Sequence, residues 1–289
     1  MKLNAILYFA AAISAPLLLS FCTKTTAPSV APLQGDTITV ETSRLATPMK
    51  VSVILPAQAL EKGSTERFPV VYLLNGYSGH YASWPELVPE IDSLATHYGM
   101  IFVCPDGRDS WYWDSPVDSG MQMESFIIEE LVPRIDSLYP TIPSPAARAV
   151  SGLSMGGHGA MWLGLRHPDV FGSMGSMSGG LDIRPFPENW LMSERLGTIE
   201  AAPEEWESHT VINIIPDADP AAGQHITIDC GVDDFFAGVN EAAHKALLER
   251  GIHHDYTVRP GAHSGPYWHN SLFYHLLFFD RAFRENNVR

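Results

Sequence analysis

The order of apolar and polar positions along the chain predicts strands that alternate with helices. Short apolar runs closed by turn residues are typical of buried strands. Two strands, at 37–42 and 49–55, are predicted to pair antiparallel near the start of the chain. Six more strands are predicted further along, at residues 69–74, 100–104, 148–152, 171–177, 225–230 and 255–258.

Apolar residues three or four positions apart predict helices between these strands. The first helix, at 123–138, contains Pro133, which predicts a kink because proline cannot donate a backbone hydrogen bond. A second helix, at 239–247, is followed by Gly251 as a C-terminal cap, and a third, at 272–283, closes the chain. This alternation predicts an α/β fold, with a mostly parallel central sheet of about eight strands and helices on both faces.

The first residues of the chain have the layout of an export signal. Lys2 is followed by an apolar run that begins at Ala5, and the two together predict a signal peptide at 1–22. A membrane-spanning anchor is the alternative, but the run is short and contains Pro16. We therefore expect an exported protein.

The end of this signal resembles a bacterial lipobox. Cys22 takes the position of the lipidated residue, although Phe21 stands where a small residue is usual. This predicts attachment to a membrane through a lipid on Cys22, in a periplasmic or outer-membrane-anchored lipoprotein of a bacterium. Residues 23–36, rich in Thr, Pro, Ala and Ser, predict a flexible tether ahead of a single domain at 37–289.

Composition and charge exclude several classes of protein. Hydrophobic residues make up 45% of the 289 positions and charged residues 18%, which excludes a disordered chain. With 18 Lys+Arg against 33 Asp+Glu the net charge is −15, so a nucleic-acid partner is not expected. Besides Cys22, only Cys104 and Cys230 are present, which is too few for a zinc site. Both are expected to be buried free thiols, with a disulfide as the alternative in an exported protein, and no metal is predicted.

A glycine-rich turn at 152–157, Gly-Leu-Ser-Met-Gly-Gly, follows a predicted strand. Gly-x-Ser-x-Gly in that setting is typical of a nucleophile elbow, where the serine takes a strained backbone conformation. Side chains two positions away on either side would collide, so small residues are needed there. A glycine-rich turn with a chance serine is the alternative. The pattern predicts Ser154 as a catalytic nucleophile.

A serine nucleophile needs a histidine base and a carboxylate that orients the base. In a fold of this kind the acid follows a late strand and the histidine follows the last strand. Asp233 and Asp234 both satisfy the first condition, and His263 satisfies the second. The other late histidines precede the last strand or belong to the closing helix.

The oxyanion formed by serine attack needs two backbone N–H donors. The residue after the nucleophile, Met155, supplies one. The loop after the strand at 69–74 supplies the other, for which we choose Tyr77. An ordinary turn at the strand end is the alternative interpretation of that loop.

Several other residues are weaker candidates. Trp111, Trp113 and Trp268 are predicted to wall a substrate pocket, although aromatic residues near a cleft belong to the core as often. His158 is expected to be structural. Residues 181–215, which contain three prolines and two tryptophans, interrupt the alternation and predict an insertion over the active face.

Together these motifs resemble the esterase D family of α/β-hydrolases. That family takes in tributyrin esterases, S-formylglutathione hydrolases and the feruloyl and acetyl-xylan esterases of carbohydrate esterase family 1. The similarity extends over most of the chain and is most specific in Ser-Trp-Tyr-Trp-Asp-Ser-Pro at 110–116. It also includes Asn-Gly-Tyr-Ser-Gly at 75–79 and Gly-Val-Asp-Asp-Phe at 231–235.

The resemblance implies an α/β-hydrolase fold and a role for each candidate. Ser154 matches the nucleophile and His263 the base, and Asp234 is preferred to Asp233 as the acid. Tyr77 and Met155 match the oxyanion positions, and no cofactor is implied. The chain departs from the family where Asn75 replaces a common histidine, and where Ser-Gly at 264–265 replaces Asp-Trp.

The sequence thus predicts an exported serine esterase that acts through an acyl-enzyme. Location and resemblance favour acetyl or feruloyl esters of polysaccharide fragments as substrates. The alternatives are an S-formylglutathione hydrolase, which the export signal disfavours, an envelope acyltransferase, and a glycan-binding homologue without activity. The oligomeric state is left open.

Overall fold

The computed structural model describes residues 34–289. The predicted export signal, the lipid on Cys22 and most of the predicted tether lie outside the described residues. Within them, no helix combines the length and the apolar character that a membrane span requires.

One eight-stranded sheet forms the centre of the domain, in the order β1-β2-β4-β3-β5-β6-β7-β8. The first strand pairs antiparallel with the second, which pairs antiparallel with the fourth, and the strands from β3 onward are parallel to one another. This confirms the mostly parallel sheet. The strands are β1 (Gly35–Val40), β2 (Met49–Ile54), β3 (Val70–Leu74), β4 (Ile101–Pro105), β5 (Arg148–Leu153), β6 (Ser173–Met177), β7 (His225–Gly231) and β8 (Asp255–Arg259).

All eight predicted strands are present within a few residues of their predicted limits. The first begins at Gly35, so the last two residues assigned to the tether belong to the sheet. The helices are α1 (Ser83–Leu87), α2 (Ile91–Tyr98), α3 (Met123–Ser125), α4 (Val132–Leu138), α5 (Met155–Arg166), α6 (Met192–Leu196), α7 (Pro203–Ser208), α8 (Val211–Ile214), α9 (Ala237–Glu249) and α10 (Gly265–Glu285). Short 3₁₀ turns lie at Ala57–Leu60, Pro145–Ala147, Ile215–Asp217 and Pro220–Ala222.

Helices cover both faces of the sheet, as the continuous apolar character of the strands predicts. In β3, Tyr72 and its neighbours two positions away pack into a core that contains α5. The alternate residues Val71 and Leu73 pack into a second core with α2 and α10. All five residues of β3 are fully buried, and burial of each large apolar side chain stabilises the fold by roughly 1.5–3 kcal/mol.

The helix predicted at 123–138 is not a regular α-helix. A π-helical segment, Phe126–Leu131, joins α3 to α4, and Pro133 lies in the first turn of α4. Proline has no N–H to donate to the carbonyl of Glu129, so the α-helical ladder is interrupted where the sequence predicts a kink.

The carboxyl ends of the parallel strands meet at one edge of the sheet. The loops that leave β3, β5, β7 and β8 at this edge carry Tyr77, Ser154, Asp234 and His263 respectively. The fold therefore places the predicted site residues at a common edge, although they are far apart in sequence.

Candidate active site

Ser154 lies at the tight turn between β5 and α5, with φ 56° and ψ −118°. Two glycines make this turn sterically feasible. A Cβ atom on Gly156 would lie 2.3 Å from the carbonyl oxygen of Leu74, and one on Gly152 would lie 2.4 Å from the carbonyl oxygen of Gly156. The turn therefore has the geometry expected of the elbow, with the Ser154 hydroxyl at the N-terminus of α5.

A continuous chain of hydrogen bonds joins three of the predicted residues. Ser154 Oγ lies 2.8 Å from His263 Nε2. On the other side of the ring, His263 Nδ1 lies 2.9 Å and 3.0 Å from the two carboxylate oxygens of Asp234. Strand order left two acids open and the resemblance preferred Asp234, which is the one that contacts the histidine. Asp233 is exposed, and its N–H donates to the carbonyl of Gly261.

The surroundings of the Asp234 carboxylate fix the direction of these hydrogen bonds. Asp234 is 5% exposed, and its Oδ1 accepts a hydrogen bond of 2.8 Å from the N–H of Phe236. A buried carboxylate favours the tautomer in which His263 carries its proton on Nδ1. The lone pair on Nε2 then accepts the proton of the Ser154 hydroxyl. The arrangement can therefore activate the hydroxyl for attack on an electrophile.

Three aromatic rings contact the imidazole, one of which is Phe236, edge to face with centroids 5.4 Å apart. The ring centroid of Phe235 lies 4.2 Å from that of His263. Trp268 meets the imidazole edge to face, with centroids 4.8 Å apart. The side chain of His263 is 14% exposed, so the base is largely shielded from water.

The two predicted oxyanion donors border the serine. A Cβ atom on Gly76 would lie 3.4 Å from Ser154 Cβ, so the loop that carries Tyr77 approaches the nucleophile closely. Among the hydrogen bonds of residues 34–289, neither Tyr77 N–H nor Met155 N–H has a protein acceptor. Both N–H groups are thus free to donate to a substrate oxygen.

Asn75 shapes this loop and is a residue whose role the sequence did not indicate. Its Nδ2 donates to the carbonyl of Gly76 at 2.9 Å, and its Oδ1 accepts from Gly107 N–H at 2.8 Å. The hydroxyl of Tyr112 donates to the Asn75 carbonyl at 3.1 Å. Asn75 therefore connects the loop after β3 to the loop after β4. The family resemblance had shown only that Asn75 replaces a common histidine.

A cleft of about 550 Å³ opens onto the serine. Besides Ser154 and His263, its lining consists of glycines, small polar residues and apolar or aromatic side chains. They are Gly76, Tyr77, Ser78, Gly79, Ser83, Leu87, Leu153, Trp190, Phe235, Gly265 and Trp268. None of these residues is acidic, lysine or arginine, so the cleft suits an uncharged group.

The structure corrects part of the prediction for the pocket walls. Trp268 lines the cleft, whereas Trp111 and Trp113 do not. Both are fully buried and stack on each other with ring centroids 5.6 Å apart. They belong to the core because their rings pack between His158 of α5 and the segment at 181–215.

Two aromatic cleft residues were missed by the sequence analysis. Trp190 comes from the segment at 181–215, and Phe235 directly follows the acid. Phe235 belongs to the Gly-Val-Asp-Asp-Phe motif, so proximity to Asp234 was a signal that could have identified it. Trp190 lies in the segment predicted to cover the active face, but that prediction did not indicate which of its side chains reaches the cleft.

Three other residues named in the sequence analysis are buried and do not line the cleft. His158 is fully buried, its Nδ1 lies 2.9 Å from the carbonyl oxygen of Gly180, and burial lowers its pKa to about 3. Cys104 and Cys230 are buried free thiols, and burial raises the pKa of Cys230 to about 12. Across residues 34–289, no cluster of three or more His, Cys, Asp or Glu side chains is suited to hold a metal ion.

Comparison with known proteins gives matches over most of the chain. A family model described as "Putative esterase" matches residues 42–279. An endo-1,4-beta-xylanase/feruloyl esterase of Xylanibacter ruminicola is 28% identical over 228 residues, or 73% of this chain. The chain spans only 26% of that relative's length. An acetyl esterase of Caldicellulosiruptor saccharolyticus is 24% identical over 77% of this chain and 89% of its own.

Solved structures also match this chain over most of its length. A ferulic acid esterase superimposes with a TM-score of 0.73 and 28% identity, and the match covers 86% of this chain and 98% of that one. The α/β-hydrolase fold implied by the sequence motifs is thereby confirmed.

Proposed function

Because the chain belongs to the Putative esterase family, and two of its relatives are named as a feruloyl esterase and an acetyl esterase, we propose that it hydrolyses carboxylic esters through an acyl-enzyme on Ser154. The observation that carries this proposal is the chain of hydrogen bonds from Ser154 through His263 to Asp234. It supplies the nucleophile, base and orienting acid that ester hydrolysis requires.

The proposed reaction proceeds in two steps. Ser154 Oγ attacks the ester carbonyl while His263 Nε2 accepts its proton, and the same proton then passes to the departing alkoxide. Water repeats the sequence on the acyl-enzyme and releases the acid. Asp234 holds the imidazole in the productive tautomer throughout.

Two backbone donors stabilise the intermediate in this proposal. The N–H groups of Tyr77 and Met155 donate to the oxyanion, and each such donor is worth roughly 3 kcal/mol of barrier. The contacts of Asn75 fix the loop that presents Tyr77 N–H, so this donor is positioned before substrate binds.

The lining of the cleft supports an uncharged, ring-containing substrate. Aromatic side chains from Tyr77, Trp190, Phe235 and Trp268 supply stacking surface. Among the lining residues there is no Lys or Arg to bind the carboxylates of a glutathione thioester. Together with the named activities of the relatives, this favours acetyl or feruloyl esters of polysaccharide fragments.

A covalent probe tests the chemistry directly. A fluorophosphonate should label the wild-type protein, and Ser154→Ala should abolish the labelling. Ser264→Ala, which removes a hydroxyl beside His263, is the matched control and should label normally. Persistent labelling of Ser154→Ala, or none of the wild type, would exclude Ser154 as the nucleophile.

A substrate panel tests the proposed specificity. Acetylated and feruloylated xylo-oligosaccharides should release free acid, while added sugar acceptor should give no acylated product. Cleavage of p-nitrophenyl esters with no release from either oligosaccharide would refute the proposed substrate class. Acylated acceptor would instead identify a transferase.

We also propose that the protein is exported and anchored through Cys22. The signal-like run at 1–22 and the lipobox-like sequence support this location. In a bacterial host, radiolabelled palmitate should be incorporated into the wild-type protein but not into Cys22→Ala. Recovery of both unlabelled from the cytosol would contradict the proposal.

A further inference from the structure

The loop at 110–116, whose tryptophans do not line the cleft, instead binds the segment at 181–215. Trp111 Nε1 donates to the carbonyl of Trp190 at 3.3 Å. The hydroxyl of Ser115 donates to the carbonyl of Arg195 at 2.6 Å. The most specific motif in the sequence therefore holds the backbone of this segment at two points.

Arg195 adds a third connection between the two parts. Its Nη2 lies 2.9 Å from a carboxylate oxygen of Asp109, and its Nη1 lies 2.9 Å from one of Asp118. These two acids flank the motif on either side. The arginine side chain is only 11% exposed, so solvent screens the two ion pairs less than it would at the surface.

The segment at 181–215, held at these points, contributes the Trp190 side chain to the cleft wall. Trp190 lines the cleft and stacks on Phe235, with centroids 5.8 Å apart and an interplanar angle of 18°. Phe235 in turn contacts His263. Trp190 and Leu191 have φ of 51° and 55°, a conformation that residues with a Cβ atom adopt only where the surroundings impose it.

We propose that Trp190 is a specificity-determining residue of the esterase and that Arg195 is the residue that positions it. This inference rests on the proposed function. The Trp190 side chain forms the part of the cleft wall contributed by 181–215, so an ester with a large aromatic acyl group contacts it. An acetyl group held at Ser154 is too small to need that wall. The segment therefore acts as a fixed wall.

Two methyl esters that differ in the size of the acyl group test the proposal in the full-length protein. Trp190→Ala and Arg195→Gln should each lower kcat/KM for methyl ferulate by about 10-fold or more, mainly through KM. The loss on methyl acetate, which has the same alcohol and no ring, should be smaller, so that the ratio of the two kcat/KM values falls by about 5-fold or more. Trp190→Phe, which retains a ring, should preserve most of the activity on methyl ferulate.

Arg184→Gln is the matched control. Arg184 belongs to the same segment and pairs with Asp182 and Glu207, but not with the loop at 110–116. Its substitution removes two ion pairs of the segment without releasing Trp190, so both esters should be cleaved as by the wild type. The double variant of Trp190→Ala and Arg195→Gln should lose little more than Trp190→Ala alone.

Equal losses on both esters, or the same selective loss in Arg184→Gln, would overturn this inference while the proposed function stands. Turnover of neither ester by the wild type would overturn the proposed function and this inference with it. If Arg195→Gln does not fold, Trp190→Ala against Trp190→Phe still decides the role of the tryptophan.

Discussion

The ring of Phe235 packs against the imidazole of His263, with the two centroids 4.2 Å apart. The phenylalanine is 52% exposed, so its position owes little to burial in the core. It follows Asp234 directly, and the hydrogen bond from Phe236 N–H to the Asp234 carboxylate fixes the turn from which the ring projects. The same turn therefore positions both the acid and a ring against the histidine.

Phe235→Leu should lower kcat on a small ester by about 10-fold, because the imidazole loses a flat surface that holds its orientation toward Ser154. Phe235→Tyr keeps the ring and should retain near wild-type turnover. Val232→Ala removes another exposed apolar side chain from the same loop and is the control. Steady-state rates on p-nitrophenyl acetate measure all three, and unchanged kcat in Phe235→Leu would contradict the role.

The two neighbouring acids should differ sharply in their effect on catalysis. Asp234→Asn removes the carboxylate that accepts from His263 Nδ1 and favours the wrong tautomer, so kcat should fall by about 10⁴-fold. Asp233→Asn alters an exposed side chain and should change kcat by no more than about 2-fold. Comparable losses in both variants would mean that the carboxylate contact is not what orients the base.

Gly156→Ala should destabilise the fold by at least about 2 kcal/mol, because the new Cβ would lie 2.3 Å from the rigid backbone of Leu74. Gly238, in the first turn of α9, has nothing within 4 Å of an added Cβ. Gly238→Ala should therefore raise stability by up to about 1 kcal/mol. Urea unfolding of the two variants measures the contrast, and similar free energies of unfolding would refute the crowding argument.

Acid should destabilise the protein through buried neutral histidines. Burial lowers the pKa of His158 to about 3 and that of His275, whose Nδ1 lies 2.9 Å from Ser151 Oγ, to about 4. The unfolded chain binds protons at these residues below about pH 6.5, whereas the folded chain does not. Each histidine should therefore cost about 2 kcal/mol of stability between pH 7 and pH 5. Urea unfolding across this range tests the expectation, and an unfolding free energy that stays constant would contradict it.

The fold could be predicted from the sequence because its strands are buried on both faces. Residues such as Val71 and Tyr72 point to opposite cores and are both apolar, which gives an unbroken run that marks the strand. The positions of Ser154 and His263 could also be predicted from the sequence, because the strand order dictates where each must lie. The choice between Asp233 and Asp234 depends on a side-chain direction that strand order does not determine.

The walls of the cleft could not be predicted in the same way. In the sequence, an aromatic residue that packs in the core, as Trp113 does, cannot be distinguished from one that faces a cleft, as Trp268 does. Trp190 reaches the cleft only because contacts distant in sequence, with Trp111 and through Arg195, place its backbone. Such contacts leave no periodic pattern in the chain.

The order of the strands has a consequence for biosynthesis. Ser154 follows β5, but Asp234 and His263 follow β7 and β8, which leave the ribosome after β5. A nascent chain that has formed its elbow still lacks His263, so in the proposed mechanism its serine has no base during translation. In that mechanism the serine becomes reactive only once β8 has joined the sheet, and covalent labelling of Ser154 would therefore report completed folding of the domain.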